Sequence, residues 1–356
     1  MPKLDRLFKE LTNRGASDLH LAVGLPIKLR IHGHLEVIRA SPLQAQDAES
    51  LMRELVSAEQ WDRFCKTHDL DFAYGIPGVV RLRANYFRHQ GGVGAIFRVV
   101  PHEVLTCEQL NLPESVVKMV DFHHGLVLVT GPTGSGKSTT LAALIDAINQ
   151  HQRKHIITIE EPIEFLHKDK KSMVIQREVG AHTGSFSRAL RAAVRQDPDV
   201  ILVGELRDRE TMQQALEAAE MGFLVFGTLH TNSAAKTVDR VVDMFPVGRQ
   251  PGTRLSLASS LRGVVAQLLL RTADGQGRVA VHEVLHTSTA AANIIREGTT
   301  AKLYSLIQSG RGQGMQTMDQ GLMAAIRAKK ITADEAWRKA EDKTSFEQLL
   351  KKPLSS

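Results

Sequence analysis

One short stretch constrains this chain more than any other feature: Gly131-Pro132-Thr133-Gly134-Ser135-Gly136-Lys137-Ser138-Thr139. It follows the apolar run Leu126-Val127-Leu128-Val129 directly and opens a helical pattern carried by Leu141, Leu144 and Ile148. Strand, glycine loop and helix in that order, with the spacing from Gly131 to Gly136-Lys137-Ser138, form the P-loop template. Its physics is specific. Glycines let the backbone wrap closely around phosphate with successive N–H groups turned inward, and the helix N-terminus adds partial positive charge. Lys137 is expected to reach the β- and γ-phosphates, and the Ser138 hydroxyl to bind Mg²⁺.

Around this loop the chain reads as strand then helix, repeatedly. Gly125 to Thr130, Ile156 to Glu160, Val200 to Gly204 and Phe223 to Leu229 are short apolar strands suited to burial on both faces, the signature of a mostly parallel sheet flanked by helices. At 356 residues the chain has room for two domains. The first, 1–100, reads as a small α/β unit. It has a helix over Leu4 to Leu11, strands over Leu19 to Val23 and Ile27 to Ile31, and a turn at His32-Gly33-His34. A helix over Ala45 to Val56 and strands over Arg81 to Phe87 and Gly94 to Val100 complete it. Residues 101–115 break the pattern as a linker, 116–270 form the nucleotide-binding core, and 271–356 are mostly helical. The chain is expected to turn largely helical from about residue 254, apart from a possible strand at Arg278 to Leu285, and to end with helices over Thr317 to Ala328 and Thr332 to Ala340.

A P-loop alone specifies only a nucleotide; hydrolysis also needs acids, and in an open α/β sheet these sit past the C-terminal ends of neighbouring strands. Two stretches supply them. Thr158-Ile159-Glu160-Glu161-Pro162-Ile163-Glu164 leaves three carboxylates beyond one strand, and Asp197-Pro198-Asp199-Val200-Ile201-Leu202-Val203-Gly204-Glu205 places Glu205 at the exit of another, in the position of a Walker B acid. We assign Glu205 to the attacking water, with Glu160 and Glu164 helping to hold Mg²⁺ and its waters; a surface ion pair is the alternative for each acid, and the division of roles among them stays open. Thr228-Leu229-His230-Thr231 brings His230 to the same crevice as a γ-phosphate sensor.

Bulk properties narrow the class. The net charge of +6 comes from basic residues spread along the chain, and aromatics make up only 5%, which argues against a nucleic-acid partner that stacks bases on aromatic platforms. The mixed-charge start Met1-Pro2-Lys3-Leu4-Asp5-Arg6-Leu7-Phe8 is unlike a signal peptide, and no apolar run is long enough to span a bilayer, so a cytoplasmic location is expected. Cys65 and Cys107, the chain's two cysteines, build neither a disulfide framework nor a four-thiolate zinc site and read as two buried apolar thiols. His32 and His34 have no third ligand near them for a metal.

These segments, together with Ala16-Ser17-Asp18-Leu19-His20-Leu21 and Gly314-Met315-Gln316-Thr317-Met318-Asp319, resemble the PilT-type ATPases that retract type IV pili, within the secretion ATPase superfamily. The likeness runs over nearly the whole chain. It implies an α/β fold with a PAS-like N-terminal domain, a RecA-like P-loop ATPase domain and a helical C-terminal extension. It further implies ATP and Mg²⁺ as cofactors, with ATP between the domains of a homo-hexameric ring, and ATP hydrolysis that drives pilus retraction and twitching motility. By the same resemblance the motor is peripheral at the cytoplasmic face of the inner membrane, works on a membrane platform protein, and shares its task with a paralogous retraction ATPase. The family's nucleotide-reaching arginines match Arg83, in Arg81-Leu82-Arg83-Ala84-Asn85, and Arg98, in Ile96-Phe97-Arg98-Val99-Val100-Pro101. A guanidinium arriving with domain closure would neutralise transition-state charge and couple hydrolysis to movement.

Two positions depart from the family pattern: Glu161 stands where an aspartate is usual, and Phe223 replaces the first histidine of the His box. Assembly and secretion ATPases, the nearest alternative, commonly carry an extra N-terminal domain and a four-cysteine zinc insertion, neither of which fits here. An accessory ring subunit and a nucleic-acid translocase are the remaining alternatives. The helix containing Ala324-Ala325-Ile326-Arg327-Ala328 is expected to pack an apolar face and turn Arg327 outward.

Overall fold

The computed structural model describes residues 2–31, 33–100 and 104–351, so His32, the start of the linker and Lys352 onward lie outside the described residues. Two compact units account for the chain: Met1–Glu103 with Pro162–Leu166, and Val104–Glu161 with His167–Ser356.

The first unit is built on a six-stranded antiparallel sheet. Its strands are β1 (Asp18–Ala22), β2 (Ile27–Ile31), β3 (His34–Arg39), β4 (Asp69–Ile76), β5 (Val80–His89) and β6 (Gly92–Val100), in the order β3-β2-β1-β6-β5-β4. The helix Asp5–Asn13 lays Leu7, Phe8 and Leu11 on one face of this sheet. There Phe8 meets Phe97 edge-on at 4.8 Å and Tyr86 meets Phe72 edge-on at 4.9 Å. Each such ring is worth ~1.5–3 kcal/mol relative to exposure. The buried Tyr86 hydroxyl is satisfied by the Met52 carbonyl at 2.9 Å. Strands β3 and β4 and the helix Ala58–Thr67, which starts on a Ser57/Gln60 capping box, are additional to the expected elements.

The second unit carries a seven-stranded sheet. Continuous apolar runs form β7 (Gly125–Thr130), β10 (Val200–Val203) and β11 (Leu224–Leu229), each buried along its whole length. With β8 (His155–Glu160), β9 (Met173–Glu178), β12 (Leu261–Arg271) and β13 (Arg278–His286) the order is β13-β12-β7-β11-β10-β8-β9. All neighbours are parallel except β12 and β13.

The expectation of a largely helical chain after residue 254 is corrected here. The helix Gln250–Ser260 runs straight into the strand β12, whose side chains are mostly buried beside β7. The strand expected at Arg278 to Leu285 is present as β13 in the same sheet, and the helices expected to end the chain are present as Met318–Arg327 and Ala333–Lys339. Arg327 is exposed, as expected. The cysteine reading is half wrong: Cys107 is buried, its thiol pushed up to about 11 by burial, but Cys65 is exposed. Among the described residues no helix is long and apolar enough to cross a membrane.

Candidate active site

The loop between β7 and the helix Lys137–His151 owes its shape to three glycines with positive φ, at Gly131, Gly134 and Gly136, a region L side chains adopt at a cost. Gly136 is the N-cap of that helix, and no side chain caps its first amides, so the donors and the dipole's positive end remain for an anion. Lys137 folds over the loop, its ammonium donating to the carbonyls of Gly131 at 2.8 Å and Pro132 at 3.1 Å. Pro132, Thr133, Gly134 and Ser138 are exposed, and Thr139 lies half-buried in the first helical turn. The Ser135 hydroxyl is buried with no hydrogen-bond partner among the described residues, a polar group that phosphate oxygens would satisfy. Uncapped amides, an ammonium and two hydroxyls suit a nucleotide's phosphates and a hard divalent cation.

Parallel pairing brings the other strand exits to the same edge. Thr130, the last residue of β7, pairs with Leu229, the last of β11, and Val203 of β10 pairs with Gly227. Glu205 and His230 therefore emerge beside the phosphate loop, and Glu205 Oε1 lies 3.0 Å from His230 Nε2.

Arg207 joins them, with its Nε 2.7 Å from the same carboxylate oxygen and its Nη1 3.7 Å from Glu161. Burial pushes the Glu205 carboxyl up, but the Arg207 guanidinium and His230 outweigh it and leave the group below the usual glutamate range. Between Glu205 and Arg207, Leu206 is fully buried, and its N–H donates to the Thr228 carbonyl at 3.0 Å. Its side chain fills the notch over Gly227, where an added methyl would lie 2.5 Å from Leu206 Cδ1.

The remaining expected residues are placed as follows. Glu160 ends β8 and accepts from the Thr158 hydroxyl at 2.6 Å and the Gln176 amide at 3.2 Å. Glu164 belongs to the first unit, where Arg83 Nη1 is 4.0 Å from its carboxylate. Arg83 and Arg98 face each other in the β5–β6 register. Arg98 donates through Nε to Asp18 at 2.8 Å, while Arg30 stands 3.8 Å from the same carboxylate. Asp18 is 3% exposed; burial raises its pKa, but Ser17 and Arg98 more than reverse that and hold it below the ordinary aspartate value. Phe223 precedes β11, at the opposite end of that strand from His230, and packs against the apolar core. The histidine missing there is thus absent from the far edge of the sheet and not from the crevice.

Sequence reasoning missed Arg207, Asp18's hold on Arg98, and Gln267 of β12. Gln267 Nε2 donates to the Ser135 carbonyl at 2.6 Å, and its Oε1 accepts from the Thr140 hydroxyl at 2.8 Å. The available signal for Gln267 was a lone amide inside the apolar run Val264 to Leu270.

A family model described as type II/IV secretion system protein matches residues 1–351. The chain is 48% identical over 333 residues to the type IV pilus retraction ATPase PilT of Pseudomonas aeruginosa, a match covering 94% of this chain and 96% of the relative. It is 47% identical over 318 residues to the twitching motility protein of Neisseria gonorrhoeae, covering 89% of this chain and 85% of the relative. The crystal structure of the pilus retraction motor PilT with bound ADP superposes with a TM-score of 0.89 at 44% identity, covering 98% of this chain and 99% of that one.

Proposed function

The chain belongs to the type II/IV secretion system protein family, and on that premise we propose that it is a motor ATPase of the pilus-retraction type. The observation that carries the reading is the convergence at one sheet edge of a phosphate loop, an ionised Glu205 and a histidine 3.0 Å from it. A nucleotide loop without an acid and a sensor beside it would serve binding alone; with them it serves hydrolysis.

In this reading the amides of Gly134 to Ser138 and the Lys137 ammonium bind the phosphates of ATP. Ser138 would ligate Mg²⁺, with Glu164 and Glu160 holding the cation's waters, and the bound cation would supply charge neutralisation at the phosphate oxygens. Glu205 orients the attacking water and accepts its proton, a role that requires the ionised carboxylate which Arg207 and His230 favour. His230 reports on the γ-phosphate through its contact with Glu205. Arg83 and Arg98 supply guanidinium charge to the transition state. The working unit is a homo-hexamer in the cytoplasm, docked on a membrane platform protein at the inner membrane and acting with a paralogous ATPase.

The test is phosphate release by the purified chain together with its oligomer mass. Release is expected to require Mg²⁺, to fall to background in Lys137→Ala, and to accompany a six-fold mass. Undiminished release in that variant removes the mechanism. A deletion strain with excess static pili supports retraction; a strain without pili points to assembly.

A further inference from the structure

Gln267 interrupts the apolar strand β12 at a position 2% exposed. A buried amide there is costly unless both of its ends find partners, and both do so in the phosphate loop and its helix, on Ser135 and Thr140. The two glycines that frame the loop close on the same residue. A methyl group at Gly131 would overlap the Gln267 carbonyl oxygen, and one at Gly136 would lie 2.9 Å from Gln267 Nε2. The glycines at these two ends of the motif therefore answer to Gln267 as well as to phosphate.

The consequence follows from peptide geometry. A trans peptide directs its C=O and its N–H oppositely. Drawing the Ser135 carbonyl back onto Gln267 turns the Gly136 N–H away from β12, toward the open side of the loop, where an amide must face to meet phosphate. We propose that Gln267 is the positioning residue of the phosphate loop: without touching ligand, it sets the Ser135–Gly136 peptide so that the loop recognises the phosphates of a nucleoside di- or triphosphate. This rests on the nucleotide reading given above.

The experiment is titration of the full-length protein with a fluorescent ADP analogue in the presence of Mg²⁺. Gln267→Met keeps the volume and removes both hydrogen bonds, and is expected to weaken binding about tenfold. Thr140→Val removes only the outer bond and is expected to weaken it about threefold. The double variant should bind no more weakly than Gln267→Met, since Thr140 acts through the same amide. In turnover, KM for ATP should rise by the same factor while kcat stays within about twofold.

Unchanged affinity in folded Gln267→Met, additive losses in the double variant, or a loss confined to kcat overturns the proposal. If Gln267→Met does not fold, unchanged affinity in Thr140→Val overturns it alone. Failure of the unsubstituted chain to bind the analogue would instead remove the nucleotide reading, so the two failures appear in different samples.

Discussion

The seven-stranded sheet delivers its polar groups at the ends of parallel strands, whereas the six-stranded sheet carries Arg83 and Arg98 in mid-strand, paired across β5 and β6. At a parallel edge the chemistry is partly backbone: amides of the loop after β7 and carboxylates just past β8 and β10, held by a buried amide behind and an exposed arginine in front. On the antiparallel face it is entirely side chain, two long guanidinium groups 45% and 69% exposed, one of them anchored on the buried Asp18. The first arrangement suits gripping and positioning, because neighbouring strands are hydrogen-bonded in register up to their exits. The second suits the delivery of charge from outside.

Three substitutions would break or sharpen this contrast. The largest effect belongs to the strand edge: Glu205→Gln should lower kcat on the order of 10³-fold with nucleotide affinity nearly unchanged. An equal loss of affinity would make Glu205 part of the grip instead. Next, on the antiparallel face, Arg98→Ala with Arg83 left in place should cost on the order of 10²-fold in kcat. Wild-type turnover in that variant would reduce the first unit to a scaffold.

The smallest effect comes from Arg207→Ala. Because the guanidinium lowers the Glu205 pKa, and the proposed role uses the ionised acid, losing it should raise that pKa and move the acid limb of the pH–rate profile to higher pH, with only a change of about two- to threefold at neutral pH. A limb that stays in place, or moves to lower pH, would mean that another group governs the acid side.

The parallel strands were easy to read from sequence because burial on both faces leaves uninterrupted apolar runs such as Leu126-Val127-Leu128-Val129, and the site acids follow such runs directly. Strand β4 was harder. Asp69 and Asp71 alternate with Leu70 and Phe72, so its half-buried face looks like a polar loop unless period two is sought. Strand β12 was missed for another reason: Ser260 ends a helix and Leu261 begins a strand with no glycine or proline to mark the change. With β12 went Gln267, whose role depends on a partner more than a hundred residues earlier. Arg207 was visible as a letter but not as a partner, since its value lies in a 2.7 Å contact that no spacing encodes. That Glu205 and His230 share a crevice, by contrast, followed from two strand exits at one edge, although their 3.0 Å contact did not.

The notch at Gly227 has a mechanical consequence. With Leu206 seated in it and bonded to Thr228, the segment bearing the acid is riveted to the strand bearing the histidine. Neither end can travel without dragging its companion. A tug on one exit, whatever its source, arrives at Glu205 and at His230 as one displacement, and the crevice responds as a jaw rather than as two separate teeth.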